Sequence, residues 1–203
     1  MDSINLAIYE EPLVTETVEA LASDLDPTLY YHSPAHTKDV LRQTLELAEE
    51  DALGDRDVLL LAIAAAFHDA GFLKQRPKNE PIGAKMAVEA MLKSGRFSQE
   101  ECDLVEQMIL DTQLVMEGPA QISNSRLSPW LLDADLANLG RDDFWDQTTL
   151  LAKELNIDFQ NMLPMTEALM KRHDWQSPAG KRLFGAKKQS NFVALARELG
   201  KDA

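Results

Sequence analysis

With 203 residues, 45% of them hydrophobic, the chain is long enough to bury a core without covalent staples, and it contains no linker-like stretch that would divide it. Its formal charge of −14 opposes extended contact with nucleic-acid phosphates, which must be neutralised by Lys and Arg, so no nucleic-acid partner is expected. The single cysteine, Cys102, cannot form an internal disulfide and reads as a small buried or half-buried filler, so a reducing, cytoplasmic setting is expected.

Met1-Asp2-Ser3-Ile4-Asn5 lacks the basic start and apolar stretch of a secretory signal. From there on apolar residues recur at steps of three and four: Val14, Val18 and Leu21, then Leu41, Leu45 and Ala48. The longest apolar run, Val58 to Phe67, is about half of the ~20 residues that a membrane span requires, and predicts a buried helix with no membrane partner. Further helical stripes pass through Leu104, Val105, Met108 and Ile109, through Phe144, Leu151 and Leu155, through Met162, Met165 and Leu169, and through Phe192, Leu195, Ala196 and Leu199. Sustained two-residue alternation is missing. The expected fold is therefore all-α, a single compact bundle over 1–203 of about eight to ten helices.

Ser33-Pro34 and Ser128-Pro129 each offer a hydroxyl cap followed by proline at the first helical position, where a missing N–H costs nothing. Gly54, Gly71, Gly140 and Gly200 fit helix ends. Gly71 to Pro81 and Glu117 to Ser128 are expected to be the two longest loops.

Three of the four histidines fall in two short strings, Tyr31-His32-Ser33-Pro34-Ala35-His36 and Phe67-His68-Asp69-Ala70-Gly71, and an acidic string, Leu132-Asp133-Ala134-Asp135-Leu136, follows. Two neutral imidazoles and two carboxylates would satisfy one divalent transition ion and leave positions open for water and substrate. Each group projects from near a helix end. Adjacent helical residues point about 100° apart, so His68 and Asp69 reach one ion only where the helix end wraps around it. Taken singly, His68 and Asp69 could equally be a dipole-favoured cation and a solvated terminus.

The order His, then His-Asp, then Asp resembles the HD superfamily of metal-dependent phosphohydrolases, helical proteins that include cyclic-nucleotide phosphodiesterases, guanosine-tetraphosphate hydrolases and nucleotidases. The resemblance covers roughly residues 28 to 145, with a helical extension over 146–203. It implies metal ligation by His36, His68, Asp69 and Asp135, with Asp133, about 200° round the helix from Asp135, as a supporting group or an alternative ligand. Tyr-His-x-x-x-His is similar to the phosphodiesterase string in which the first histidine donates a proton and the second binds metal, which gives that role to His32. An imidazole with an ordinary pKa near 6.5 suits the protonation of a leaving alkoxide, although His32 could also simply pack beside Tyr30 and Tyr31.

The chain departs from its relatives in two ways. The only remaining histidine, His173, stands in a charged helix end and is expected to be solvated or to interact with the helix dipole rather than to bind metal, so one ion is expected. The glutamate that some members carry just beyond His-Asp is replaced by Phe72 and Leu73, leaving Glu80 either to orient the attacking water or to open the next helix as a first-turn acid. Lys74, Arg76 and Lys78, three positive charges in five residues, form a candidate phosphate clamp or a solvated loop, and Arg126 and Arg141 are weaker candidates. Thr112, following Asp111, could hydrogen-bond a ligating carboxylate or a substrate phosphate. Lys181, Arg182, Lys187 and Lys188 read as a solvated face.

What the resemblance implies is hydrolysis of a phosphomonoester or phosphodiester bond in a small, nucleotide-like phosphorylated molecule, by attack of metal-bound hydroxide. The ion would be Mn2+, Fe2+, Co2+, Ni2+ or Zn2+, with Mg2+ possible. The alternatives are a binding module that senses a nucleotide or metal without turnover, and a di-iron oxygenase, which would need more histidines than the chain supplies.

Overall fold

The computed structural model describes residues 8–201. Over them the chain forms nine α-helices, two short 3-10 turns and no strand. The helices are α1 (Pro12–Asp24), α2 (Pro34–Glu50), α3 (Asp55–Phe67), α4 (Asn79–Ser94), α5 (Gln99–Asp111), α6 (Ser128–Asp135), α7 (Phe144–Glu154), α8 (Phe159–Arg172) and α9 (Pro178–Glu198). The 3-10 turns, Ala70–Leu73 and Ala137–Gly140, follow α3 and α6. Among the described residues no helix is long and apolar enough to cross a membrane.

The architecture follows from α3. Its first turn carries Asp55 and Asp57, which favour a helix N-terminus, but from Leu60 onward it has no polar side chain and every residue to Phe67 is buried. A helix that is apolar all round must be surrounded, and α1, α2, α4, α5 and α6 pack around it. Its C-terminus, where His68 and Asp69 follow Phe67, is consequently held in the middle of the molecule. Cys102 is fully buried on α5, which begins with a capping box between Ser98 and Glu101.

Several local expectations need correction. Ser33 does precede α2, but its hydroxyl makes no capping bond. Ser128 is already inside α6, where its hydroxyl donates to Asp111 Oδ2 at 2.6 Å instead of capping. Gly54 opens α3 rather than closing α2, and Gly71 lies within the first 3-10 turn. Gly140 ends the second turn, whereas Gly200 follows α9 with φ of 69°. The loop expected from Gly71 to Pro81 shrinks to 74–78, because α4 starts at Asn79. The other loop is longer than expected and runs over 112–127. Asp111 ties it down by accepting from Asn124 N and Nδ2, both at 2.7 Å, and from Ser128.

The basic tail residues are not all solvated. Arg182 pairs with Glu50 and Asp51 at 3.0 and 2.7 Å, Lys187 pairs with Asp142, and the half-buried Lys188 donates to the His173 carbonyl. His173 itself is buried edge-on against Trp175, with 4.4 Å between ring centres and no partner on Nδ1. Burial first, then the charge of Lys188, pushes its pKa down to about 3. A folded value below the unfolded 6.5 means that the ring's contribution to stability is complete above pH 6.5 and is lost as pH falls toward 3. Replacing His173 with Phe, which has no charge to bury, should therefore flatten acid unfolding: the stability gap between variant and wild type should shift by about 1.4 kcal/mol per pH unit below 6.5. Parallel curves in pH-dependent urea denaturation would reject a buried neutral ring.

Gly71 is required by close approach. A Cβ there would lie 1.9 Å from the Asn79 carbonyl oxygen, which is backbone and cannot turn aside, whereas a Cβ on Gly54 would meet nothing. Gly71→Ala should cost about 1–3 kcal/mol by forcing the 3-10 turn away from α4, and Gly54→Ala should stay within about 0.5 kcal/mol, both read from denaturation midpoints.

Candidate metal centre

The wrapping required of His68 and Asp69 is achieved where α3 ends. His68 keeps right-handed helical geometry as the C-cap, but Asp69 (φ −105°, ψ 4°) already starts the 3-10 turn. The change of backbone path brings both side chains to one point, with His68 Nε2 and Asp69 Oδ2 3.2 Å apart. His36, in the first turn of α2, enters from one side, its Nε2 3.4 Å from His68 Nε2 and 3.7 Å from Asp69 Oδ2. Asp135, the last residue of α6, enters from another, with Oδ1 3.3 Å from His36 Nε2 and 3.8 Å from His68 Nε2. The donors of His36, His68 and Asp69 all lie within 4.8 Å of one another.

The donor chemistry fits a cation. His68 Nδ1 lies 2.7 Å from the Ala65 carbonyl oxygen, which can only accept, so Nδ1 carries the proton and Nε2 offers a lone pair to the centre. Asp69 Oδ2 is buried without a hydrogen-bond partner, a costly arrangement unless a cation or proton answers it. Ligand atoms about 2.0–2.2 Å from a shared ion stand roughly 3–3.5 Å apart, close to the distances found here. Without an ion the same demand falls on protons. Burial alone would lower the His68 pKa, but the charges of Asp69 and Asp135 overcome it and raise it to about 9. Burial likewise opposes ionisation of Asp69, yet His68 holds its carboxyl far below the usual range.

Both carboxylates are oriented from outside. Asn79, the first residue of α4, donates to Asp69 Oδ1 at 3.1 Å. Gln121, from the 112–127 loop, donates to Asp135 Oδ2 at 2.9 Å and to the Thr112 carbonyl at 2.8 Å. Thr112 thus reaches the centre through its carbonyl and Gln121, since its hydroxyl donates to Ile109 O at 2.7 Å. Asp133 faces away and is fully buried, accepting from Gln176 N, Ser177 N and Ser177 Oγ at 2.8, 2.8 and 2.6 Å. Burial raises its pKa to about 6 despite these bonds.

His32 stands beside the cluster, its ring centre 6.0 Å from that of His36 and 4.8 Å from Phe72. Its partner is Glu154 at the end of α7, whose Oε1 meets His32 Nδ1 at 2.5 Å while Oε2 accepts from Tyr31 N and His32 N at 2.8 and 3.0 Å. Burial works against a charged ring, but the Glu154 bond together with the charges of Asp69, Glu154 and Asp135 outweighs it, and the His32 pKa lies above its ordinary value. Tyr31, 4.8 Å from the His36 ring, is kept a neutral phenol by burial and by the charges of Asp135 and Asp69.

A cavity of about 500 Å³ opens onto His32, His68, Asp69 and Asp135, and Lys78, Glu80 and Thr112 also line it. The rest of the basic string points elsewhere: Lys74 is exposed and outside the lining, and Arg76 pairs with Asp26 at 3.0 Å and bonds Thr28. Arg126 is engaged by Asp57 at 2.6 Å. A more open groove of about 780 Å³ reaches only His36 of the four donors, and its cations are paired, Arg141 with Asp39 and Asp143. The smaller cavity is the one that reaches the other three donors.

Asn79, Gln121 and Glu154 had no sequence signal. Each lies 10 or more positions from its partner, and no spacing rule relates them. The chain matches no protein-family model, and neither the curated proteins nor the solved structures yield a match to it.

In ion-free protein His32 should titrate above 6.5, and Glu154→Gln, which keeps an acceptor but removes the charge, should lower that value. Imidazole NMR titration reads this directly, and an unchanged His32 curve would show that Glu154 does not set its proton affinity.

Proposed function

We propose that the chain is a metal-dependent phosphohydrolase that cleaves a phosphoester of a small molecule, nucleotides being the class suggested by the resemblance to HD phosphohydrolases. The observation that carries this reading is the convergence of His36, His68, Asp69 and Asp135 at the edge of a cavity also faced by His32. These four side chains would hold one divalent ion, of Mn2+, Fe2+, Co2+, Ni2+ or Zn2+ type, with Mg2+ less suited to two imidazoles. When bound, such an ion activates water near neutral pH and polarises a phosphoryl oxygen.

The protein's own groups supply the rest. Asn79 and Gln121 keep the two carboxylates from rotating as charge shifts during the reaction. Glu154 fixes the His32 ring and stabilises its charged form, so that His32 can give a proton to the departing oxygen. Glu80, in the first turn of α4, borders the cavity where it could orient water, and Lys78 beside it offers a positive charge to phosphoryl oxygens.

Protein purified with Mn2+, Fe2+, Co2+ or Ni2+ should carry one ion per chain by elemental analysis and hydrolyse members of a phosphoester and nucleotide panel. His68→Ala and Asp69→Ala should lose the ion, while His32→Ala should keep it and lose about 100- to 10,000-fold in kcat. Stoichiometric metal in the two ligand variants would contradict the assignment of the centre; full metal with no turnover across the panel would leave a binding module instead.

A further inference from the structure

The wall of the cavity contributed by α7 and α8 has a composition unlike that of the metal edge. Leu151 on α7, Leu155 just past its end, and Met162, Met165 and Leu169 on α8 face the space, and Leu114 from the 112–127 loop joins them. The hydroxyls on this wall are already spent on their own helices: Thr148 donates to Phe144 O at 2.8 Å and Thr166 to Met162 O at 3.1 Å. Gln147 is occupied by Asp143, and Arg172 by the Val115 carbonyl. α7 and α8 thus line the space mainly with aliphatic side chains, each of their polar side chains is already bonded at one atom within the protein, and they offer no aromatic ring to stack on a base. The cavity's one phenol, Tyr31, is committed to the His36 ring.

We propose that this wall receives an aliphatic leaving group, so that the preferred substrates are phosphomonoesters of aliphatic alcohols rather than nucleotides. The inference rests on the phosphohydrolase reading above. The phosphoryl group would lie at the His36, His68, Asp69 and Asp135 edge and the carbon chain along α7 and α8, a division that matches charge to charge and apolar surface to apolar surface. About 500 Å³ lies within the range of sites for small organic ligands. Hydrolysis breaks the phosphorus–oxygen bond to the alcohol and water adds to phosphorus. The alcohol oxygen leaves with a proton from His32, and alkyl phosphate plus water gives alcohol plus hydrogen phosphate with no co-reactant.

The probes are methyl-, butyl- and hexylphosphonate, which are not cleaved, titrated calorimetrically into metal-loaded protein, together with steady-state kinetics on hexyl phosphate and AMP. Affinity should rise about two- to fourfold per added methylene, and hexyl phosphate should show the lower KM. Leu155→Gln combined with Met165→Gln changes two residues that are already half-exposed, and so should leave the fold intact while abolishing the chain-length dependence of phosphonate affinity. Flat phosphonate affinities with AMP as the better substrate would overturn the inference and leave the hydrolase reading standing. Chain-length-dependent binding without cleavage of any ester would do the reverse, removing catalysis and keeping the aliphatic subsite.

Discussion

The arrangement of this molecule depends on the burial of two carboxylates in front of two imidazoles at the end of its most apolar helix. Asp69 is almost wholly removed from solvent, one of its oxygens without a partner, and such a charge is tolerated only with a positive counterpart. In the ion-free chain the counterpart is a proton on His68; with an ion it would be the metal, and the proton would leave. The surrounding structure is consistent with that demand. α3 is apolar from Leu60 onward, so it is forced to the centre, and its end delivers the buried His68 and Asp69 to the edge of the cavity.

Helix α6 shows how one short element serves two ends. Asp133 and Asp135 are two residues apart, about 200° around a helix, so they cannot serve the same centre from a regular helix. Asp135 turns to His36, and Asp133 turns to the start of α9, where it accepts from Gln176 and Ser177. Gly180 is needed at that joint because a Cβ there would lie 2.2 Å from Asp133 Oδ2. The same helix therefore fixes the C-terminal part of the chain against the donor cluster, and movement at either end would be felt at the other.

Much of this was legible in the sequence. The 3.6-residue period implied an all-helical chain because each helix buries one stripe, and crowding of scarce histidines beside acids pointed to the side chains that converge because they fall in contiguous strings. What escaped notice lies outside such strings. Glu154, Asn79 and Gln121 act through contacts 10 to 122 positions away, and a glutamate on an amphipathic helix looks the same in sequence whether it faces solvent or an imidazole. His173 departs from expectation for the opposite reason. Its charged neighbours in Lys171-Arg172-His173-Asp174 suggested solvent, but the chain leaves α8 there in an extended conformation that turns the ring onto Trp175.

The extension beyond the recognisable strings is also where specificity would reside. The donors come from α2, α3 and α6, whereas the cavity wall comes largely from α7 and α8, and the two parts meet at Glu154 and His32. A division of this kind lets the wall change while the donors stay fixed, because no wall side chain bonds to a donor. Glu154 is the exception, since it stabilises the charged form of His32 from within the wall-forming half. The extension therefore supplies both the apolar surface of the cavity and, through Glu154, the bond that orients the His32 ring, while through Gln176 and Ser177 it also anchors the helix that carries Asp135.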